Sequence, residues 1–286
     1  MTAVPIDAGA VPRARRRRPR LTTSPTDTAA LVLAALVCLV AVAAPLIAPH
    51  SATAPSGTTF LSPGSGGHLL GTDEVGRDIL SRIVYGIRSS WLSAIAVITS
   101  GVLIGGVIGL AAGTLGGWVD AVLMRITDAF LALPGPILAI AVVAALGPSL
   151  SHTLIAVMLV WWPFYARIVR GEVRALAARP HVEAARLAGV KPMRLAFRHL
   201  LPGAVPATIV AASLDVGNLI LTLAALSYLG LGAPAPAPEL GSMSARGLNY
   251  LLEQWWIPIM PALAVLALAL VANLAGDALR DLLHDR

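Results

Sequence analysis

The chain has 286 residues, of which 57% are hydrophobic and only 13% are charged, too apolar for one or two ordinary soluble domains. The apolar residues fall into separated runs of roughly 20, the length a helix needs to cross a bilayer, so we predict an all-α membrane protein and exclude an outer-membrane β-barrel. Lys and Arg outnumber Asp and Glu by 21 to 15, but six arginines precede the first apolar run, where a positive-inside signal would place them, so we expect no nucleic-acid partner.

Six apolar runs predict six transmembrane helices. They cover residues 29–48, 91–115, 126–146, 154–168, 204–231 and 256–275. A cleaved secretory signal is the alternative for the first run, but Pro45 directly follows the best cleavage candidate, and the run is long enough to span. The only cysteine, Cys38, lies in this run and excludes a disulfide framework.

The segments between the runs predict the domain organisation. Residues 1–28 should be a disordered basic cytoplasmic tail, and residues 280–286 a cytoplasmic C-terminus. Residues 91–279 should form the main transmembrane domain. With the tail inside, 17 of the 21 Lys and Arg fall on the cytoplasmic side: six in the tail, Arg125, the eight from Arg167 to Arg198, Arg280 and Arg286. This asymmetry predicts that both termini are cytoplasmic.

The segment 49–90 is predicted to lie outside the membrane. Within it, Val75, Ile79, Ile83 and Ile87 recur at near-helical spacing opposite polar residues such as Arg82. We therefore expect an amphipathic helix on the outer leaflet. This segment and the loop 233–255 are also candidate docking surfaces for a soluble protein outside the membrane.

The second run contains a glycine every fourth residue, so that the glycines form a stripe along one helix face. They are Gly101, Gly105, Gly109, Gly113 and Gly117. Another backbone can approach closely there. Packing within this subunit is the preferred interpretation, and contact with a partner membrane subunit is the alternative.

Polar side chains inside spans are costly and therefore informative. Asp215, Asn218 and Thr222 share one helix face, which should point inward. This face either lines a substrate path or forms interhelical hydrogen bonds. Further candidates for the path are Thr127, Asp128 and Asn273. Arg125 and Asp128 are three residues apart, a spacing that predicts a structural ion pair.

The loop between the fourth and fifth spans, within residues 171–202, reads as two short helices. Pro180 suits a first helical turn, and Gly189 can supply the left-handed residue that ends the first helix. Pro192 can begin a second helix that Pro202 closes. Alanines leave a surface without bulky side chains, on which a groove of another protein could close. An amphipathic connector on lipid headgroups is the alternative.

This loop resembles the EAA loop of ABC-importer permeases. The resemblance rests on Glu183, Ala184, Ala185, Gly189, Leu201 and Pro202, with His199 where the pattern usually has an aliphatic residue. Further motifs agree: residues 71–82, 226–232, 238–241 and 273–281. Together they resemble the C-type membrane subunit of the dipeptide, oligopeptide and nickel permeases, over residues 70–281.

The resemblance implies a six-helix type I importer permease in the bacterial cytoplasmic membrane, with the Glu183 segment as coupling helix. It also implies a homologous second permease, two cytoplasmic ATPase subunits or domains and an extracytoplasmic binding protein. The single lysine, Lys191, precedes a proline, so the chain has no Walker phosphate loop. We therefore expect a transport subunit rather than an enzyme, without a cofactor, with ATP and Mg²⁺ bound by the partners. A peptide is the expected substrate, nickel and haem remain open, and a stand-alone secondary transporter is the alternative function.

Overall fold

The computed structural model describes residues 24–284, which form helices and loops without a named strand. The α-helices are α1 (Pro25–Ile47), α2 (Ile79–Leu115), α3 (Gly117–Leu131), α4 (Gly135–Leu146), α5 (Leu150–Ala177), α6 (Pro180–Leu187), α7 (Pro192–Leu195), α8 (Leu201–Tyr228), α9 (Leu240–Gly247) and α10 (Trp256–His284). A π-helical segment, Ala196–Leu200, joins α7 to α8, and a 3₁₀ turn, Leu248–Tyr250, follows α9.

The prediction of an all-α bundle with six spans is confirmed, with one modification. Five helical stretches are long and apolar enough to cross a membrane, and α3 with α4, apolar enough together but bent by 81°, makes six when the pair is counted as one broken span. The prediction of an unbroken third span was wrong. Pro134 has no backbone N–H and disfavours helical geometry at Leu133, so the helix stops after Leu131 and restarts at Gly135.

Helix α1 begins earlier than predicted. Ser24 and Asp27 form a capping box, in which each side chain accepts a hydrogen bond from the other residue's backbone N–H at 3.1 Å. Residues 25–28 of the predicted tail are therefore helical, and residues 1–23 lie outside the described part of the chain. Near the other end, Pro45 cannot donate to the Ala41 carbonyl. The Arg88 guanidinium donates instead to the carbonyls of Ala41 (3.4 Å) and Val42 (3.1 Å).

The separate amphipathic helix predicted near residues 73–88 does not form. Asp78 caps α2 by accepting a hydrogen bond from the Ser81 N–H at 2.7 Å, and α2 then continues unbroken to Leu115. The predicted polar face is not on a surface either, because Arg82 is only 1% exposed. Its polar groups pair with loops that cover it. We call these loops the cap: residues 48–78 and 229–255.

Gly101, Gly105, Gly109 and Gly113 lie in α2 and pack against α5 within the same chain, which confirms the preferred interpretation for these four. Gly117 was wrongly placed in the stripe, because α2 ends at Leu115 and Gly117 begins α3, with nothing within 4 Å of its Cβ position. A Cβ at Gly105 would lie 2.4 Å from the Trp162 carbonyl oxygen, and one at Gly109 would lie 2.5 Å from the Ala166 carbonyl oxygen. Only glycine lets the two backbones approach this closely.

The buried apolar residues form two clusters along the bundle. The first core cluster extends from the cap through α1, α2, α4, α5, α8 and α10. The second core cluster lies at the opposite end and consists of Leu110, Val169, Val173, Leu176, Val182, Leu195, Ala196, Leu200 and Ala204. It fixes the predicted coupling loop to the ends of α2, α5 and α8.

Candidate functional site

Helix α6 forms where the sequence predicts it, for the predicted reasons. Pro180 occupies the first turn, where its missing N–H breaks no helical hydrogen bond, and Glu183 lies in the same turn. Gly189 has a φ of +78°, in the left-handed region. Its N–H donates to the Arg186 carbonyl at 3.0 Å, and the next N–H, from Val190, donates to the Ala185 carbonyl at 3.2 Å. The helix therefore ends in a closed turn that depends on this glycine.

Helix α6 is held by one buried side chain and presents the rest outward. Val182 is fully buried in the second core cluster, and Ala185 is half-buried against it. Glu183 and Ala184 are exposed, and Leu187 is 85% exposed. The outward side therefore combines a small side chain, a carboxylate and a bare leucine, a composition suited to contact with another protein.

The second half of the loop differs from the prediction. Pro192 begins α7 as expected, but Pro202 does not close a separate helix. Pro202 has no N–H to donate to the Arg198 carbonyl, and the chain widens into the π turn directly before it, where Leu201 donates to the Ala196 carbonyl. Helical structure therefore continues from Pro192 to Tyr228. Leu201 is half-buried beside the second core cluster, and Pro202 is exposed.

The polar residues of α8 form one connected network with α5. The Asp215 carboxylate accepts hydrogen bonds from Trp161 Nε1 (2.5 Å) and from the Tyr165 hydroxyl (3.1 Å). The Asn218 amide donates to the same carboxylate at 3.3 Å, and the Thr222 hydroxyl donates to the Asn218 backbone carbonyl at 2.9 Å. The predicted shared face is present. Asp215 is half-buried and Asn218 is exposed, so the network has both an interhelical side and an open side.

Asn273 of α10 packs against a different face of α8. A Cβ at Gly217 would lie 2.3 Å from Asn273 Oδ1, so the amide rests on the bare backbone of α8. The sequence did not single out Gly217. A glycine within an apolar run gives no signal of the polar side chain that will pack on it.

The other two path candidates are engaged locally. Thr127 is fully buried, and its hydroxyl donates to the Leu123 carbonyl one turn back at 2.8 Å. Asp128 is 51% exposed and pairs with Arg167 of α5 at 2.7 Å. The predicted pair between Arg125 and Asp128 was wrong, because Asp128 faces α5. The geometry of both residues favours packing of α3 on α5.

A second ion-pair group near the loop was missed by the sequence reasoning. The Asp120 carboxylate, largely buried, accepts from Arg170 and from Arg174, the Nη2 of Arg170 lying 2.8 Å from Oδ2. These bonds tie the first turn of α3 to the last turns of α5, directly before α6. The partners are about 50 positions apart in sequence, so local spacing carries no signal of them.

The cap brings together sequence motifs that are distant in the chain. Arg77 Nε donates to Asp73 at 2.7 Å, and the Arg82 guanidinium donates to the carbonyls of Ala52 (2.7 Å) and Pro236 (3.1 Å). Glu239 begins α9 by accepting from the backbone N–H of the third helical residue, Ser242, at 2.8 Å. Burial raises the pKa of the Glu239 carboxyl, although these hydrogen bonds oppose the change. Arg82 thus locks both cap loops to α2.

Comparison with known proteins identifies the family and several relatives of this chain. The family described as "Binding-protein-dependent transport system inner membrane component" matches residues 105–286. The chain is 41% identical to the probable D,D-dipeptide transport system permease protein DdpC of Escherichia coli, over 92% of this chain and 88% of the relative. It is 40% identical to the di/tripeptide transport system permease protein DppC of Pseudomonas aeruginosa, over 90% of this chain and 86% of the relative.

Among solved structures, an inward-facing form of the MetNI methionine ABC transporter has the same fold. The TM-score is 0.55 at 22% identity, covering 70% of this chain and 96% of that one. The chain is a member of the binding-protein-dependent transport system inner membrane components, the permease family of ABC importers.

Proposed function

We propose that this permease subunit carries short peptides across the bacterial cytoplasmic membrane by alternating access driven by separate ATPase subunits. The names of its relatives support the substrate class: the aligned permeases serve dipeptide, D,D-dipeptide and di/tripeptide transport. Nickel or haem would be carried by the same architecture, and the ligand of the cognate binding protein distinguishes these cargoes.

The proposal rests mainly on one observation, the exposure of the side chains of α6 on the surface of the chain. A loop that served only as a connector would bury its apolar residues or lay them on lipid. Here Val182 anchors the helix, while Ala184 and Leu187 project away from the chain at the end opposite the cap. Glu183 lies in the same exposed first turn. We assign α6, ended by Gly189, as the coupling helix that enters a groove of a cytoplasmic ATPase, which binds ATP and Mg²⁺.

The open side of the polar network supports a substrate path. Asn218 is exposed in the single chain, and Asp215 is half-buried in the same network. Asn273, a further path candidate, is exposed on α10. A second, homologous permease facing this surface would close a path between the two subunits. Carboxylate and amide groups there can meet the ammonium and amide groups of a peptide. Asp215 also joins α5 to α8, so it would serve both path and bundle.

The cap supports a second docking face, at the end of the bundle opposite α6. Its loops are fixed by Arg82, so it offers a defined surface to an extracytoplasmic binding protein. The sequence charge asymmetry orients this face outward and both termini inward.

The test uses the complete complex, purified in detergent from cells that express all its subunits. Ala184→Trp adds bulk to the exposed side of α6, and Gly189→Val removes the residue that tolerates the left-handed turn. Both should reduce retention of the ATPase or substrate-stimulated ATP hydrolysis at least tenfold, with normal membrane abundance.

Matched controls come from the same chain. Ala54→Trp adds the same bulk to an exposed cap position, and Gly171→Val changes a helical glycine with nothing within 4 Å of its Cβ position. Both should leave ATPase retention unchanged. Normal retention and normal stimulated hydrolysis in both α6 variants would contradict the coupling assignment.

A further inference from the structure

Three side chains of the kind that bind transition metals converge inside the cap. His50 follows α1, His68 lies in the glycine-rich loop, and Asp78 caps α2. The ring nitrogens and the carboxylate oxygen that face one another all lie within 4.8 Å. Three separate stretches of chain thus bring two imidazoles and one carboxylate to one point.

Their separations suit a single ion. Zn²⁺ binds nitrogen and oxygen ligands at about 2.0–2.2 Å in a tetrahedron, which places the ligand atoms about 3.4 Å apart. His68 Nδ1 lies 2.9 Å from Asp78 Oδ1, and His50 Nδ1 lies 3.9 Å from Asp78 Oδ2. These distances lie on either side of the ideal value, so side-chain shifts of less than about 1 Å would complete the set.

One of the three groups has no partner without an ion. His50 Nδ1 is buried and forms no hydrogen bond within the described residues. An unpaired buried polar atom is costly, and it is the exception in folded proteins. The atom faces Asp78, so His50 Nδ1 could coordinate a metal ion that lies between the two side chains.

The surroundings orient the carboxylate as metal sites require. Asp78 Oδ2 accepts from the N–H and from the hydroxyl of Ser81, each at 2.7 Å, which leaves Oδ1 with His68 as its only hydrogen-bond partner. The Ser81 hydroxyl oxygen also accepts from the His50 backbone N–H at 3.0 Å. Ser81 therefore fixes both the carboxylate and the segment that carries His50, in the way that outer-shell groups hold metal ligands.

The charge of Asp78 is balanced only by neutral donors and by the two imidazoles. Asp78 is fully buried, no Lys or Arg of residues 24–284 lies within 4 Å of its carboxylate, and the groups that contact it are Ser81, His50 and His68. A divalent ion held by the three ligands would pair directly with this buried negative charge.

We propose that His50, His68 and Asp78 form a binding site for a divalent transition metal of the Zn²⁺ class, which fastens the segment after α1 to the start of α2. His68 coordinates through Nδ1 and keeps its ring proton on Nε2, so the metal replaces the present hydrogen bond to Asp78. A water completes the tetrahedron through the partly exposed side of His50. Two imidazoles favour Zn²⁺, Co²⁺ or Ni²⁺ over Mg²⁺ and Ca²⁺.

The test uses the full-length chain, purified through a histidine-free tag and stripped with a chelator. Mass spectrometry should find one equivalent of Zn²⁺ after reloading and desalting. Titration with Co²⁺ should produce visible ligand-field absorption that saturates at one equivalent. Zn²⁺ should also raise the thermal unfolding midpoint, because it binds the folded chain selectively.

His50→Ala is the decisive variant, because it removes a ligand whose ring forms no hydrogen bond and should leave the fold intact. We expect at least tenfold weaker Co²⁺ binding and no thermal shift with Zn²⁺. His152→Ala, whose ring lies 2.8 Å from the Gly147 carbonyl oxygen, is the matched control and should bind like the parent. Failure of the parent to bind any of the three ions at micromolar concentration, or equal binding by His50→Ala, would overturn the site. Neither result depends on transport or on the ATPase.

Discussion

The contact between α2 and α5 can be tested with two adjacent glycines. A Cβ at Gly105 would lie 2.4 Å from the Trp162 carbonyl oxygen and 2.8 Å from the Ala166 nitrogen, whereas a Cβ at Gly106 meets nothing within 4 Å. Ordinary contact begins at 3.4 Å, so Gly105→Ala forces the two backbones apart by about 1 Å. The atoms in the way belong to the backbone, and no side-chain rotation relieves the clash.

The two variants share every other effect of the substitution. Replacing glycine by alanine in a helix gains about 1 kcal/mol of helix propensity at either position. Overpacking costs about 1–3 kcal/mol, and only Gly105→Ala incurs it. The unfolding free energy of Gly105→Ala should therefore fall below that of Gly106→Ala by about 1–3 kcal/mol.

Unfolding of the purified chain in mixed micelles, followed by tryptophan fluorescence, measures this difference. Gly106→Ala should be as stable as the parent or more stable. Equal unfolding free energies for the two variants would refute the inference that this stripe sets the distance between the helices.

Three further outcomes are expected. Asp120→Asn should lower the unfolding free energy by about 2 kcal/mol, since two arginines lose a charged acceptor, while the exposed Asp128→Asn should change it by less than about 1 kcal/mol in the same assay. Asp215→Asn should reduce peptide uptake with normal complex yield and basal ATP hydrolysis; a low yield with normal uptake per complex would assign it to packing alone. With the native cysteine replaced by serine, a cysteine at Ser65 should react with an impermeant thiol reagent in spheroplasts, and one at Arg186 should not. Reaction at Arg186 would reverse the topology.

The sequence predicted those parts of the structure that depend on local chemistry. Helix α6 was predictable from Pro180 at its start and Gly189 at its end, because each residue determines the backbone conformation of its own helical turn. The spans follow from runs of apolar side chains, and the stripe at Gly105 follows from helical periodicity.

The remaining features depend on contacts between distant segments. Arg82 is charged and occupies the polar side of an amphipathic pattern, so its burial cannot be read from the sequence. The carbonyls that it binds, Ala52 and Pro236, lie 30 positions before it and 154 positions after it. Asp120 pairs across about 50 positions. The break at Pro134 did have a local signal, but the apolar residues around it made the run look continuous.

The unbroken helical stretch from Pro192 to Tyr228 has a mechanical consequence. At 1.5 Å per residue, Asp215 lies about 35 Å along the axis from Pro192. If the loop end of this helix tilts, the polar face around Asp215 therefore moves with it, because both lie on the same continuous helix. The π turn at Ala196–Leu200 is the one widened point in that rod. Because kinks in long helices concentrate at π-bulges and prolines, we expect any bending of the rod to occur at this turn, directly before Pro202.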